Sequence, residues 1–154
     1  MRKVKFGIFT KPIHVEKIVN FLNLKTNYKY IISTDKRELY KCFDFDIGIS
    51  YGFGDIIDID KTCTKNWFNF HPAMLPMYKG SGCYAKAIGD EVKFFGVSVH
   101  RMTMKIDTGF LIDEILFDLD VIPVSTNEIG CICHYYLFQL FKRFMLNKKY
   151  VVEG

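Results

Sequence analysis

Nowhere in the 154 residues does an apolar run approach the roughly 20 positions that a bilayer-crossing helix needs. The opening Met1-Arg2-Lys3-Val4-Lys5-Phe6 is basic, yet no signal-like apolar stretch or small-residue cleavage site follows it. It reads as the first strand of a cytoplasmic protein. Cys-x-x-Cys is missing too, and the five cysteines (Cys42, Cys63, Cys83, Cys131, Cys133) are odd in number and scattered. That pattern fits reduced structural thiols better than a disulfide framework. No His/Cys/carboxylate set has metal-ligand spacing, so no metal is expected. Charge of one sign does not dominate either, with a formal net charge of +4. Lys142, Arg143, Lys148 and Lys149 cluster near the C-terminus, where cations suit the end of a helix, but nucleic-acid binding would need a longer basic surface. Internal repeats, linkers and low-complexity segments are absent.

What is present is material for one core. Hydrophobic residues make up 49% and aromatics 16%, while 25% charged residues are ordinary for a folded chain. The length fits a single domain spanning residues 1–154. Val4 to Phe9 reads as a buried strand, and Thr10-Lys11-Pro12 as a helix start with proline in the first turn. Tyr28 to Ser33 is a second strand, Lys36 to Phe43 a short helix, and Asp46 to Ser50 a third strand that ends in Tyr51-Gly52-Phe53-Gly54. Trp67 to His71 is a fourth strand, closed by Pro72, which pushes His71 into extended geometry. Cys83 to Ile88 can form a short helix. Phe94 to Met102 and Phe110 to Leu119 read as strands, antiparallel to each other. Ser125-Thr126-Asn127-Glu128 is a capping box opening the last helix. Its apolar positions Ile129, Cys133, Tyr136, Leu137, Leu140, Phe141 and Phe144 keep one face toward a sheet. Alternating strands and helices imply an α/β layer fold.

Two short motifs carry chemistry: Asn69-Phe70-His71-Pro72 and, after a long gap, Asp107-Thr108-Gly109. An Asn amide can donate to a developing oxyanion, an imidazole can handle charge and proton, and a carboxylate can orient the ring or accept a proton. Together these groups can take a carbonyl carbon through a tetrahedral intermediate. His71 falls near the carboxyl end of a strand, where open α/β sheets place their ligands. His100 lies on a strand running toward Asp107, either as a partner of the site or as a structural histidine. His14 and His134 have no companions.

Over residues 66–114, with Leu75-Pro76-Met77-Tyr78-Lys79-Gly80 as the turn between the motifs, the chain resembles the folate-dependent formyltransferases. That resemblance implies a Rossmann-like, mostly parallel sheet with flanking helices. It also implies transfer of a formyl group from N10-formyltetrahydrofolate, the co-substrate, to a primary amine. The catalytic residues it implies are Asn69, His71 and Asp107. The folate pocket carries over as backbone at Gly54, Asp55, Ile56 and Ile57 and at Met102, Thr103, Met104 and Lys105. The acceptor side carries over as exposed side chains at Tyr78, Lys79 and Lys86.

The chain departs from that family in places. The part before Asn69 is shorter than usual, as if one strand-helix unit of the N-terminal half were absent. Gly7-Ile8-Phe9-Thr10-Lys11-Pro12 offers no glycine-rich nest for the phosphate of glycinamide ribonucleotide. The residues stop soon after the last helix, without the extra C-terminal domain of methionyl-tRNA formyltransferases. By contrast, Ile49-Ser50-Tyr51-Gly52-Phe53 followed by Ile56-Ile57 looks like a stretch found in enzymes that formylate nucleotide-linked amino sugars. A nucleotide-linked amino sugar is therefore the expected acceptor, with no nucleic acid or membrane partner and a homodimer left open. The alternatives are a glycinamide-ribonucleotide-type transformylase, a formyltetrahydrofolate hydrolase, and a non-catalytic folate- or nucleotide-binding module.

Overall fold

A computed structural model describes residues 2–41, 44–121, 123, 125–147 and 149. Six strands are present in these residues: β1 (Lys5–Thr10), β2 (Lys29–Ser33), β3 (Ile47–Tyr51), β4 (Trp67–His71), β5 (Phe94–Arg101) and β6 (Leu111–Asp118). Four α-helices accompany them: α1 (Pro12–Lys25), α2 (Lys36–Leu39), α3 (Cys83–Gly89) and α4 (Thr126–Leu146). The strands hydrogen-bond in the order β2-β1-β3-β4-β5-β6. β1 runs parallel to both β2 and β3, and β6 returns antiparallel along β5. This is the expected α/β architecture with a mostly parallel sheet. The chain packs as two compact units, one built from residues up to Asn69 and from Lys142 on, the other from Phe70 to Phe141.

In the first unit β1 and β3 are buried along nearly their whole length, as parallel strands covered on both faces should be. Two glycines make room for the rings of this core. A Cβ on Gly48 would stand 2.2 Å from the Trp67 indole, and one on Gly7 would stand 2.6 Å from the Phe45 ring. The buried indole N–H is satisfied locally, donating to Thr62 Oγ1 at 2.9 Å and to the Thr64 carbonyl at 3.0 Å. Helix α1 starts at Pro12, whose missing N–H costs nothing at a first helical position. The chain passes from β3 to β4 with only a 3-10 turn at Ile59–Lys61, which the sequence reading did not anticipate.

In the second unit, α4 lays Ile129, Cys133, Leu137, Leu140 and Phe141 into the core. The aromatic stripe read from the sequence packs ring on ring: Phe141 meets Phe70 at 5.4 Å, and Tyr136 stacks on Phe117 at 4.2 Å. Ser125 caps this helix, accepting the Glu128 N–H at 3.2 Å. Cys131 is exposed while Cys133 is buried, as their spacing on a helix requires.

The second helix is shorter than expected. It runs only from Lys36 to Leu39, because Tyr40 already takes the C-cap position; Cys42 and Phe43, which the expected helix or the cysteine count included, lie outside the described residues. Lys148, of the C-terminal basic cluster, also lies outside them.

Candidate active site

β4 ends at His71, and Pro72 is what ends it: the ring of a proline holds the residue before it in extended backbone. Asn69 lies two residues earlier on the same strand. Side chains alternate along a strand, so Asn69 and His71 project from one face of the sheet.

The His71 ring is buried and held from both sides. Nε2 lies 2.7 Å from the Tyr78 carbonyl, which can only accept, so this nitrogen carries the hydrogen. Nδ1 lies 3.6 Å from Asp107 Oδ2. Asp107 is itself gripped by three groups. Oδ2 accepts the Gly80 N–H at 2.7 Å, and Oδ1 lies 3.3 Å from His100 Nε2. The other His100 nitrogen, Nδ1, lies 3.1 Å from the Arg101 carbonyl. One carboxylate thus sits between two imidazoles, and each ring has acceptor oxygens toward both of its nitrogens.

His71, His100 and Asp107 are only 6%, 2% and 7% exposed. Burial raises the Asp107 pKa, but the hydrogen bond from His100, the charge of His71 and the Gly80 N–H together outweigh it, so the carboxyl titrates below its ordinary value. Asp107 is therefore ionised at neutral pH. It also sits at φ +51°, a left-handed backbone that aspartate tolerates better than most residues. Gly109 fixes the other side of this turn. A Cβ there would come within 1.5 Å of the Arg101 carbonyl oxygen, leaving no room for any side chain. The register between β5 and β6 slips at Val99/His100, which is where His100 is turned toward the carboxylate.

The motif loop connects to this cluster through its backbone. The Tyr78 carbonyl meets His71 and the Gly80 N–H meets Asp107, so Lys79 lies between two anchored peptides with its side chain exposed. Tyr78, expected as an exposed side chain, is buried instead. Its ring packs edge-on against Phe95 at 5.0 Å, and its hydroxyl donates to Asp90 Oδ2 at 2.9 Å. An aromatic ring with an apolar shelf beneath it and an acceptor at its tip is more stable covered than solvated. Lys86 bends back over the same loop, donating to the Met77 carbonyl at 3.1 Å with Nζ 4.8 Å from the Tyr78 ring.

Of the backbone segments expected to meet folate, Gly54, Asp55 and Ile56 are exposed and Ile57 is buried. Gly54 adopts φ +85°. Met102 to Lys105 is irregular backbone between β5 and Asp107. Within it, Lys105 is already engaged: its N–H donates to Thr103 Oγ1 at 3.2 Å, and its carbonyl accepts the Thr103 and Thr108 hydroxyls, each at 3.1 Å.

Sequence reasoning named Asn69, His71 and Asp107 but gave no weight to the Tyr78 carbonyl or the Gly80 N–H. Backbone groups leave no residue-type signature. The one available signal was the Pro-Gly turn, which announces an ordered loop without saying what it touches.

Residues 18–128 match the formyl transferase family, and the chain belongs to it. Among curated relatives, the methionyl-tRNA formyltransferase of Pseudothermotoga lettingae is 31% identical over 78 residues, which is 49% of this chain and 26% of the relative. The chain thus spans about a quarter of that relative's length. Among solved structures, the N-formyltransferase of Helicobacter canadensis, in complex with folinic acid and dTDP-3-aminofucose, superposes with a TM-score of 0.74 at 20% identity, covering 94% of this chain and 63% of that one. The phosphoribosylglycinamide formyltransferase of Campylobacter jejuni gives a TM-score of 0.67 at 21% identity over 90% of this chain and 94% of that one.

Proposed function

We propose that the chain is a folate-dependent formyltransferase, taking a formyl group from N10-formyltetrahydrofolate to the primary amine of a nucleotide-linked amino sugar. The observation that carries the formyl-transfer reading is the ionised Asp107 held between His71 and His100, with Asn69 two residues before His71. The folate supplies an activated one-carbon acyl group. The rest of the chemistry falls to the chain. As the amine attacks the formyl carbon, the carbonyl oxygen gains charge, and the Asn69 amide donates to it. One donor of this kind is worth about 10²–10³ in turnover. The attacking amine must shed a proton, and Asp107 accepts it directly or through water, an effect of about 10²–10⁴. The C–N10 bond then breaks, and N10 of the departing tetrahydrofolate takes up a proton in its place. His71 keeps the carboxylate aimed and balances its charge.

For the folate, main-chain groups at Gly54 to Ile57 and at Met102 to Met104 are the proposed contacts. For the acceptor, Lys79 is the proposed phosphate contact, since its side chain is exposed while Tyr78 and Lys86 spend theirs within the loop. The bound sugar nucleotide named for the Helicobacter canadensis protein, and the short Ser50-Tyr51-Gly52-Phe53 likeness, support an amino-sugar acceptor. A glycinamide-ribonucleotide acceptor has its own support, because the chain spans nearly the full length of the Campylobacter jejuni enzyme. Against it stands the first strand-helix turn, where Lys11 and Pro12 replace a glycine-rich nest.

The test is to incubate the protein with N10-formyltetrahydrofolate and, separately, a dTDP-linked amino sugar, glycinamide ribonucleotide or water alone. Release of tetrahydrofolate, together with an acceptor one carbonyl unit heavier by mass spectrometry, identifies the acceptor. Turnover with water alone would make the chain a hydrolase. Folate binding without turnover under any condition would make it a binding module.

A further inference from the structure

At the amino-terminal ends of β1 and β2, Arg2, Lys3, Lys5, Lys29 and Asp44 line a cavity of about 510 Å³ that shares no residue with the His71 cluster. The wall holds four cations and one carboxylate, an excess of three positive charges. The cations are not equivalent. Arg2 is committed to its neighbours, with a guanidinium nitrogen 3.0 Å from Asp46 Oδ1 and 3.8 Å from Asp44 Oδ2. Asp46 is further occupied by the Lys5 N–H at 2.8 Å. Among the described residues, no carboxylate lies within ion-pair distance of Lys3, Lys5 or Lys29.

Two of these lysines are register partners: Lys5 stands directly beside Lys29 in the parallel β1/β2 ladder. Adjacent strands are about 4.8 Å apart, and like charges directly opposite one another destabilise a sheet. Folding does not need this arrangement, since a neutral residue at either position would pair better. A bound anion would turn the repulsion into attraction.

We propose that this cavity is a subsite for a free inorganic diphosphate, separate from the acyl-transfer site. The volume is that of a small-ligand pocket rather than of a polymer track. The cations are confined to the ends of two strands and form no stripe along which a nucleic acid could lie. Among the described residues the lining is made of charged side chains alone, so what they offer a ligand is charge. Ammonium groups act as point charges toward phosphate oxygens, and the Arg2 guanidinium is already paired with Asp46. With four cations against one carboxylate, the attraction grows with the charge of the anion. A diphosphate, with its several negative charges, gains the most from it.

The experiment is calorimetric titration of the whole chain with inorganic pyrophosphate at low and raised salt, repeated on Lys5→Gln, Lys29→Gln and Lys93→Gln, the last an exposed lysine outside the lining. The expected result is saturable one-to-one binding that weakens with salt and falls about tenfold in Lys5→Gln and in Lys29→Gln. Lys93→Gln should be unchanged. Without pyrophosphate, Lys29→Gln should melt no lower than the wild type, because it removes a like-charge pair, and that result separates lost binding from lost folding. Absence of saturation, equal affinity in all variants, or equal binding of sulfate at matched ionic strength would overturn the proposal. Tighter lysine-dependent binding of a nucleoside diphosphate than of pyrophosphate would overturn the assignment to the bare anion.

Discussion

Gly80 and Asp107 meet through one hydrogen bond, N–H to Oδ2 at 2.7 Å, and both residues have left-handed backbones, with φ of +72° and +51°. The bond joins two turns 27 positions apart in the chain. Each turn is shaped so that a main-chain donor and a carboxylate face each other, and His71 then closes the arrangement through Asp107 Oδ2 and the Tyr78 carbonyl.

If Asp107 takes the amine proton and His71 holds it, Asp107→Asn and His71→Ala should each lower kcat by about 10²–10⁴ in steady-state assays. Circular dichroism should remain that of the wild type. A folded His71→Ala variant with full turnover would end the mechanism.

His100→Ala should be milder. It removes a charge-assisted contact worth about 1.5–3 kcal/mol, so a ten- to roughly hundredfold loss in kcat is the ceiling if the whole contact acts in the transition state. A positioning role predicts that the acidic limb of the kcat–pH profile moves up, because Asp107 loses a group that keeps it ionised. A purely structural histidine would lower stability and leave that limb in place.

Gly109→Ala should disturb stability and activity together. The added methyl meets the Arg101 carbonyl oxygen with no space to accept it. Overpacking of this kind costs about 1–3 kcal/mol, read as a shift in the urea midpoint. Since Gly109 is two residues from Asp107, formyl transfer should fall by more than stability loss alone explains.

Acid stability carries the sign of the Asp107 shift. Its folded pKa lies below the unfolded value, so its contribution is complete above about pH 4 and is lost as pH falls through the lower folded pKa. The stability difference between wild type and Asp107→Asn should therefore hold down to about pH 4 and shrink below it. A difference already gone at about pH 5 would mean that His71, His100 and Gly80 do not favour the ionised form.

Strand ends and helix faces were legible wherever one residue type has one physical effect. Pro72 stops β4 at His71, and the spacing of Ile129, Cys133, Leu137 and Phe141 gives the buried face of α4. The short α2 was misread because helical pattern past Leu39 says nothing about where the backbone turns away. At the site, residue types led to Asn69, His71 and Asp107, while the Tyr78 carbonyl and the Gly80 N–H belong to no residue type. The burial of Tyr78 was missed for a related reason: Asp90 and Phe95, which cover it, are distant in sequence and meet it only in the folded chain.

The two main-chain bonds on either side of Lys79 decide what a substitution at that position can disturb. Backbone at Tyr78 and Gly80 holds His71 and Asp107, so a residue able to follow the same path can occupy position 79 without moving either. On the proposal that Lys79 meets the acceptor, replacing its side chain should change acceptor affinity and leave the hydrogen bonds to His71 and Asp107 in place. Side chain and backbone thus do separate work one peptide apart.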